Sequence, residues 1–500
     1  MTSPVRLTRL STGVTGLDTV LGGGLPEYSF NLIAGPPGSG KTTLAHQMMF
    51  ALASPERPAL YFTVLGEPAL KMLRYQQQFG FFDASAINTA IRFINLSDEA
   101  IVGDLDLVLR RIVDEVTAAG PSLVFVDSFR SVMLAGVAEG AATNQLQAFV
   151  QQLGVQMTSW QATTFLIGEY FDDAEANPVF TVADGIIWLR QSTQRNSMVR
   201  KLEIKKMRGQ ATMAGLHTFR ITSAGVTVFA PTPAPVADTG GTASTEQVLS
   251  RLAMGVPGLD EMLGGGLPNG YSLLVAGPSG SGKSILAASF LAEGARRGEH
   301  GVIASFEQNP SRMRNPMLAD LITSAPVSLV DPSSRDLSID ELLVLLIDEI
   351  RKTGARRVVI DSLSGLELAL APTFREDFRE SLARLVFALS VENVTVVMTT
   401  ELEDRYTDLR FSPYGTAFMT DAIIVQRYIE VDSRLRRMMA VVKLRGSSHS
   451  DELREFTIVD GQLRIGTRLE AQEGLLGGRP TRQRSDAASR APGRNGGDDA

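Results

Sequence analysis

The sequence predicts an α/β protein with two tandem domains, each a mostly parallel sheet flanked by helices, and a disordered C-terminal tail. Three observations predict this architecture. Apolar runs typical of buried strands alternate with helical patterns, a set of glycine-rich phrases occurs twice in the same order, and each half contains one phosphate-loop motif.

The duplication extends over most of the 500 residues. Gly13–Asp18 and Leu21–Pro26 occur again, with few changes, as Gly255–Asp260 and Leu263–Pro268. This self-similarity indicates two copies of one structural unit rather than a single large domain.

Composition predicts where the units begin and end. The stretch between the halves is rich in proline and glycine, which is typical of a linker. The C-terminal stretch is rich in Gly, Arg, Ser and Asp and has too little apolar surface to offset the entropy lost on ordering. We therefore expect domains at 1–230 and 248–466, a linker at 231–247 and a disordered tail at 467–500.

Short apolar runs bounded by turn residues predict the strands of both sheets. In the first half these runs are 30–34, 60–64, 91–96, 123–126, 164–167 and 186–189, followed by hairpin strands at 199–207 and 217–229. In the second half they are 273–276, 302–306, 327–330, 358–360, 394–398 and 423–425, followed by hairpin strands at 436–444 and 455–465. Helical patterns lie between them at 42–52, 104–118, 284–296 and 339–352. This alternation favours parallel strands joined by helices.

The phosphate loops are Gly35–Thr42 and Gly277–Ser284, both of the form G-x-x-x-x-G-K-[ST]. Backbone N–H groups of such a loop surround phosphates, while its lysine contacts phosphate and its hydroxyl contacts Mg²⁺. Each loop follows a strand-like run and precedes a helical pattern, which is the context that supports the motif. The loop residues predicted to bind nucleotide are Gly38, Ser39, Gly40, Lys41, Thr42, Thr43, Gly280, Ser281, Gly282, Lys283, Ser284 and Ile285.

An acidic residue ends one apolar run in each half, at Asp127 and at Asp361. A carboxylate at the mouth of a buried strand lies near the metal ion of a phosphate-loop site. The sequence therefore predicts two Mg²⁺ sites, held by Thr42 and Ser284 with the two aspartates in support.

Hydrolysis also needs a group that orients or deprotonates the attacking water. Glu307 directly follows the second strand-like run of the second half, so we predict it to be catalytic. Its counterpart in the first half is Leu65, which cannot accept a proton, and Glu67 lies two positions further on. A solvated loop glutamate is the alternative interpretation of Glu307.

Each half ends a late strand with the phrase K-x-R-G, containing Lys206 and Arg208 in the first half and Lys443 and Arg445 in the second. Residues two apart on a strand share one face, so each pair could contact a neighbour's phosphate as an arginine finger does. A solvated edge strand is the alternative. The recurrence in both halves favours a function.

Composition excludes several classes of site and partner. The chain has no cysteine, which excludes disulfides, thiol catalysis and cysteine-ligated metals. Its formal net charge of −7 gives no overall attraction to nucleic acid or to anionic membranes. Because there is neither a secretion signal nor a run of 18 apolar residues, we expect a cytoplasmic protein without a membrane partner.

Together these residues resemble the KaiC-like family of RecA-type ATPases. The resemblance covers residues 6–466 and rests on the doubled glycine-rich phrases, both phosphate loops, Phe306-Glu307 and both K-x-R-G phrases. It implies two RecA-like domains, ATP as the nucleotide, and a homohexamer with ATP between neighbouring chains. It also implies further nucleotide-binding residues outside the loops, the lysines and arginines among them reaching the adjacent subunit: Arg200, Lys206, Arg208, Arg437, Lys443, Arg445 and His449.

The chain departs from the family pattern after the second strand of each domain, where the family has paired glutamates. The first half has Leu65-Gly66 at this place, and the second half has Glu307-Gln308. We therefore expect an ATPase whose hydrolysis takes place mainly in the second domain and signals to an unidentified protein partner.

A second departure concerns phosphorylation. Clock members of the family phosphorylate an adjacent Ser-Thr pair shortly before a Thr-Asp step. This chain has Ala417 and Phe418 before Thr420-Asp421, and its nearby hydroxyls are Ser412, Thr416 and Thr420. A serine/threonine kinase is therefore the alternative function. A RecA-like DNA-binding ATPase and a GTPase rank below it, because there is no basic and aromatic patch and no N-K-x-D phrase.

Overall fold

The computed structural model divides the chain into two compact units, Met1–Thr232 and Pro233–Ala500. The described residues are 8–63, 69–97, 105–128, 142–171, 178–194, 197–230, 250–306, 316–331, 336–402, 418–431, 433–468, 472–473 and 481–482. The division falls within the predicted linker, which lies outside the described residues.

The first unit contains helices of 4 to 18 residues and strands of 2 to 11 residues. The helices are α1 (Leu17–Val20), α2 (Lys41–Leu52), α3 (Ala69–Gln76), α4 (Leu105–Ala119), α5 (Ala142–Ser159) and α6 (Pro178–Val182). The strands are β1 (Arg9–Leu10), β2 (Leu25–Pro26), β3 (Phe30–Gly35), β4 (Ala59–Thr63), β5 (Ile91–Asn95), β6 (Leu123–Asp127), β7 (Thr163–Glu169), β8 (Gly185–Gln194), β9 (Ser197–Met207), β10 (His217–Thr222) and β11 (Gly225–Phe229).

The second unit repeats this pattern. Its helices are α7 (Pro257–Met262), α8 (Lys283–Arg296), α9 (Pro316–Ser324), α10 (Ile339–Thr353), α11 (Leu363–Ala369), α12 (Pro372–Arg375) and α13 (Phe378–Val391). Its strands are β12 (Arg251–Leu252), β13 (Leu267–Pro268), β14 (Ser272–Gly277), β15 (Gly301–Ser305), β16 (Val327–Val330), β17 (Arg357–Asp361), β18 (Thr395–Glu401), β19 (Ala422–Val431), β20 (Arg434–Leu444), β21 (Arg454–Val459) and β22 (Gln462–Arg468).

Each unit is built on a nine-stranded sheet, in the order β11-β10-β9-β8-β3-β7-β6-β4-β5 in the first and β22-β21-β20-β19-β14-β18-β17-β15-β16 in the second. Six strands of each sheet run parallel, and the hairpin strands at one edge are antiparallel. One strand, β7 or β18, separates the phosphate-loop strand from the strand that ends in aspartate. The predicted fold class is confirmed.

Helices cover both faces of each sheet, which is why the central strands are apolar on both sides. Successive residues of β3 belong to opposite cores: Leu32 and Ala34 pack with one set of helices and Ile33 with the other. All four residues from Leu123 to Val126 are fully buried. The parallel strands therefore end at one edge of the sheet, with the loops that follow them gathered there.

Two short pieces of structure lie within the predicted C-terminal tail. Strand β22 continues to Arg468, two residues into the predicted tail, and β23 (Gln472–Glu473) pairs with β24 (Thr481–Arg482). The other residues after Arg468 lie outside the described part of the chain.

A buried arginine fastens the aspartate-bearing strand of the second unit to the phosphate-loop helix. The Arg357 side chain is fully buried, and its Nε lies 2.7 Å from Glu299 Oε2. Its Nη1 donates to the carbonyl oxygens of Ala253 at 2.8 Å and of Phe290 at 3.0 Å. Its guanidinium lies 4.5 Å from the centre of the Phe290 ring. Arg357 therefore holds three separate segments together beneath the site.

We predict that Arg357→Met lowers the free energy of unfolding by about 3–5 kcal/mol, because it leaves Glu299 and two carbonyl groups without their buried partner. The matched control is Arg356→Met at the neighbouring exposed position, where we expect a change within about 0.5 kcal/mol. Urea unfolding of the full chain measures both changes. Equal midpoints for the two variants would contradict this account of Arg357.

Candidate nucleotide-binding sites

Each phosphate loop joins the end of a central strand to the beginning of a helix. In both loops the two inner glycines have positive φ, 73° and 102° at Gly38 and Gly40, and 75° and 104° at Gly280 and Gly282. These values strain residues that carry a Cβ, and a Cβ on Gly40 would lie only 2.6 Å from Ile221 Cδ1. The helices that follow begin at the loop lysines, so their free N–H groups lie where an anion would bind.

The loop lysines fold back over their own loops. Lys41 Nζ donates to Pro36 O at 2.9 Å, and Lys283 Nζ donates to Gly277 O and Pro278 O, each at 2.9 Å. Burial lowers the pKa of Lys41, while the negative charges of Glu169 and Asp127 oppose this effect. Because carbonyl oxygens hold the ammonium group inside the loop, it is placed to meet a phosphate there.

A pocket of about 360 Å³ opens above the first loop. Its lining residues come from the loop, from the ends of neighbouring strands and from nearby helices: Gly38, Gly40, Lys41, Thr42, Thr43, Thr63, Met72, Asp127, Ser128, Glu169 and Ile221. Five of the six predicted residues of this loop, all but Ser39, are therefore brought together with Asp127 at one site.

The first acidic residue is tied directly to the loop hydroxyl. Thr42 Oγ1 and Tyr61 Oη each donate to Asp127 Oδ2 at 2.8 Å. Burial raises the pKa of Asp127, and these two hydrogen bonds and the charge of Lys41 lower it. Burial and the nearby Asp127 raise the pKa of the Tyr61 hydroxyl well above its usual range, so Tyr61 remains a hydrogen-bond donor.

The second unit places the same groups at the same edge of its sheet. Ser284 lies in the first turn of α8, and Asp361 ends β17 and is buried. Asp361 Oδ1 accepts a hydrogen bond from Thr399 Oγ1. Ser281 Oγ donates to Gln426 Oε1 at 3.0 Å, whereas the residue matching Gln426 in the first sheet is Leu189.

Both sites suit a magnesium ion that arrives with a nucleotide. Each offers one hydroxyl and one carboxylate, and Mg²⁺ in nucleotide sites takes one or two such protein ligands together with phosphates and water. Among the described residues there is no group of three or more His, Asp or Glu side chains that could form an all-protein metal cage. When bound, the ion would neutralise phosphate charge, with Thr42 and Ser284 holding it and Asp127 and Asp361 in support.

The predicted catalytic residue Glu307 lies outside the described residues, as do Leu65 and Glu67. The residue before it, Phe306, is described, and its N–H donates to Asp361 O at 2.7 Å.

The K-x-R-G residues lie at the other end of the sheet from the loop of their own unit. Lys206 Nζ donates to Phe180 O at 3.2 Å and to Thr181 O at 3.0 Å. Arg208 forms a 3.0 Å ion pair with Asp184, whose Oδ2 accepts a hydrogen bond from the N–H that begins β3. That strand has six residues, so its two ends are about 17 Å apart.

The second unit repeats this arrangement. Lys443 Nζ donates to Thr420 O, and Arg445 lies 3.6 Å from Asp421. Asp421 accepts from Ser272 at the beginning of β14. Neither K-x-R-G phrase therefore reaches the phosphate loop of its own unit.

The other predicted basic residues lie elsewhere. Arg200 pairs with Gln191, and Arg437 pairs with Tyr428, towards the phosphate-loop ends of β8 and β19. The Arg437 guanidinium lies 5.4 Å from the centre of the Tyr428 ring. His449 Nδ1 lies 3.0 Å from Ser450 O. The arginines are thus separated from the K-x-R-G residues along the same strands.

Of the three nearby hydroxyl residues that the sequence offers as phosphate acceptors, Thr420 lies in the described part of the chain. Thr420 is 1% exposed, and its backbone oxygen accepts from Lys443. Ser412, Thr416 and Ala417 lie outside the described residues, while Phe418 is 55% exposed. Burial of Thr420 counts against its phosphorylation in this conformation.

The chain matches the family described as ATPase: KaiC over residues 10–233 and 252–470. The chain belongs to the KaiC ATPase family. Similar proteins include the circadian clock oscillator protein KaiC of a Picosynechococcus strain, 27% identical over 96% of this chain and 94% of that protein. Another is KaiC 1 of a Synechocystis strain, 26% identical over 96% of this chain and 93% of that protein. KaiC of Prochlorococcus marinus is 25% identical, over 97% of this chain and 98% of that protein.

Membership of the KaiC family confirms the resemblance drawn from the sequence, and it supports ATP binding and ATPase activity in general. No helix in the described parts of the chain is both long and apolar enough to span a membrane.

Sequence reasoning missed two pairs of residues at the KaiC-type sites. Glu169 and Glu401 end the strands that lie between the loop strand and the aspartate strand, opposite Gly35 and Gly277. Tyr61 and Thr399 hold the two aspartates. Glu169 and Glu401 could have been found from the sequence, because an apolar run ends in Glu at this place in both halves. Tyr61 and Thr399 could not, because they stand at different places in the two halves.

A buried histidine adjoins the first site. His46 is fully buried on α2, with its ring 4.7 Å from the Tyr61 ring. Burial lowers its pKa to about 4, against a smaller opposing effect of Gln76. Because an unfolded histidine titrates near pH 6.5, the folded state disfavours the charged form.

We predict that His46 stabilises the fold fully above about pH 6.5 and that this contribution falls, by roughly 3 kcal/mol in total, as the pH decreases to about 4. His46→Leu should remove this part of the acid sensitivity. His300→Gln, at an exposed position, is the control and should retain it. Urea unfolding of the full chain between pH 7.5 and pH 4 measures the slopes, and parallel slopes for His46→Leu and the unmodified chain would contradict the prediction.

Proposed function

We propose that the protein is an ATP-binding signalling ATPase that works as a nucleotide-dependent oligomer and hydrolyses ATP mainly in its second unit. The observation that carries the proposal is that Glu307 directly follows the second strand-like run of the second unit. A carboxylate at this position can accept the proton of the attacking water. The first unit has Leu65 at the matching position.

In this proposal the first site contributes by binding ATP and does not need to hydrolyse it rapidly. A nucleotide that binds only the folded, assembled state stabilises that state by mass action. The complete phosphate loop and the bond between Thr42 and Asp127 support binding of Mg²⁺ with ATP there. ATP held in the first unit would then keep the assembly together while the second unit turns over.

The proposed oligomer follows from where the basic residues lie. Lys443 and Arg445 are bonded at the beginning of the central strands, away from the loop of their own unit. A head-to-tail arrangement would bring them to a neighbour's nucleotide, where an arginine stabilises charge during phosphoryl transfer. A ring of six chains is the form that the family resemblance implies.

The partner that receives the signal is unidentified. The similar proteins named above are circadian clock oscillator proteins, which supports a signalling role for this chain. Kinase activity and a cytoplasmic location stay predictions from the sequence.

We predict that Glu307→Gln lowers the ATP turnover of the full chain at least about tenfold, because it removes the general base while preserving the shape of the side chain. Glu67→Gln is the matched change in the first unit and should leave turnover within about twofold. Phosphate release measures both variants, and nucleotide content after gel filtration checks that binding persists. Unchanged turnover in Glu307→Gln would remove Glu307 as the base.

We predict that Arg445→Ala and Lys283→Ala are each nearly inactive alone but recover turnover when the two variants are mixed and reassembled. An intact loop from one chain can then meet an intact arginine from the next, giving roughly a quarter of normal interfaces on random mixing. The control is a mixture of each variant with itself, treated identically. If the mixture gains nothing although mass measurement shows mixed assemblies, Arg445 does not act across subunits.

A further inference from the structure

One group at the first site has no role in the proposed function: the Tyr61 hydroxyl. It donates to Asp127 Oδ2 at 2.8 Å, the same oxygen that accepts from Thr42 at 2.8 Å. Asp127 thus has one oxygen engaged by two protein hydroxyls. Asp127 and Thr42 both line the pocket above the loop.

Packing fixes the Tyr61 ring independently of this hydrogen bond. Tyr61 is fully buried, and its ring centre lies 4.7 Å from that of His46, 5.3 Å from that of Phe93 and 5.9 Å from that of Phe125. Because the ring is enclosed on several sides, its hydroxyl cannot turn to solvent. The hydroxyl therefore positions the carboxylate, rather than the carboxylate positioning the ring.

The second unit holds its aspartate from the opposite side. Ile303 takes the place of Tyr61 in the strand next to the aspartate strand, and it offers no oxygen. Asp361 instead accepts from Thr399 Oγ1 on the other neighbouring strand, β18. The residue at that place in the first unit is Ile167, directly opposite Asp127.

In each unit a hydroxyl from a neighbouring strand therefore donates to the aspartate, from β4 in the first unit and from β18 in the second. The duplicated units keep a donor for the aspartate although the residue that supplies it differs. This points to a need for the donor itself and not to inheritance of one contact.

We propose that Tyr61 in the first unit and Thr399 in the second are positioning residues that orient the aspartate towards the nucleotide-bound Mg²⁺. The inference rests on the proposed metal role of Asp127 and Asp361. Groups that orient a metal-binding residue typically change metal affinity 10–100-fold when they are removed. Tyr61→Phe should therefore weaken metal binding at the first site only, and Thr399→Val at the second only.

The test uses full-length chains with one nucleotide site disabled. Lys283→Ala leaves the first site to be measured, and Lys41→Ala leaves the second. ADP is the probe. In each background we measure the free Mg²⁺ concentration at half-maximal ADP binding, and separately the ADP affinity in excess EDTA.

We expect Tyr61→Phe to raise the Mg²⁺ requirement about tenfold or more in the first-site background, with unchanged ADP affinity in EDTA. We expect Thr399→Val to do the same in the second-site background. Each change should have no effect in the opposite background. Thr399→Ser keeps the hydroxyl and should keep the normal requirement, and Tyr28→Phe, at an exposed tyrosine of the first unit, is the control for loss of a phenol oxygen.

The outcomes separate this inference from the proposed function. If ADP binding does not depend on Mg²⁺ in the Lys283→Ala and Lys41→Ala chains without a further substitution, the metal role of the aspartates is overturned. This inference would then be overturned with it. A clear Mg²⁺ requirement that Tyr61→Phe and Thr399→Val leave unchanged would overturn the inference alone. An equal loss of ADP affinity with and without Mg²⁺ would also overturn it, since it would indicate general damage to the site.

Discussion

The first unit depends on one junction, where a carboxylate at the end of a buried parallel strand meets the first turn of the phosphate-loop helix. In the first unit this junction is a 2.8 Å hydrogen bond between Thr42 and Asp127. A carboxylate can be buried only when donors satisfy it, so the surrounding strands must supply hydroxyl groups. The parallel sheet makes this possible, because the carboxyl ends of its strands all lie at one edge. Residues far apart in the sequence, such as Thr42, Tyr61 and Asp127, thereby reach one small volume.

The features of the fold and of the sites that could be predicted from the sequence are those that depend on short local patterns of residues. Gly40 and Gly282 adopt φ values of 102° and 104°, which strain residues with a Cβ, so the loop motif shows in the sequence itself. The strand before Asp127 is apolar at every position because helices cover both sheet faces, and this too is a local pattern. Tyr61 and Thr399 could not be predicted in this way. Their roles depend on which strand lies next to which, and strand order is a property of the whole sheet.

Comparison of the two units shows which contacts the duplication preserved. The loop glycines, the lysines and the aspartates are the same in both, and the glutamates that end β7 and β18 also recur. The residues around them differ. Leu189 in the first unit stands where the second has Gln426, and Ile167 stands where the second has Thr399. Each loop serine is buried, but Gln426 bonds Ser281 in the second unit only. The two sites therefore share a phosphate-binding frame, and the residues that orient its members diverge.

The two ends of each sheet carry different groups of the proposed ATPase site. Phosphate loops and aspartates lie at the carboxyl ends of the parallel strands, whereas Arg208 and Arg445 are held at the amino ends by Asp184 and Asp421. A strand of six residues keeps these ends about 17 Å apart, further than an arginine side chain extends. The K-x-R-G arginine of a unit consequently cannot reach the phosphate loop of the same unit. If that arginine is needed for turnover, hydrolysis becomes conditional on a neighbour, and assembly itself controls the rate.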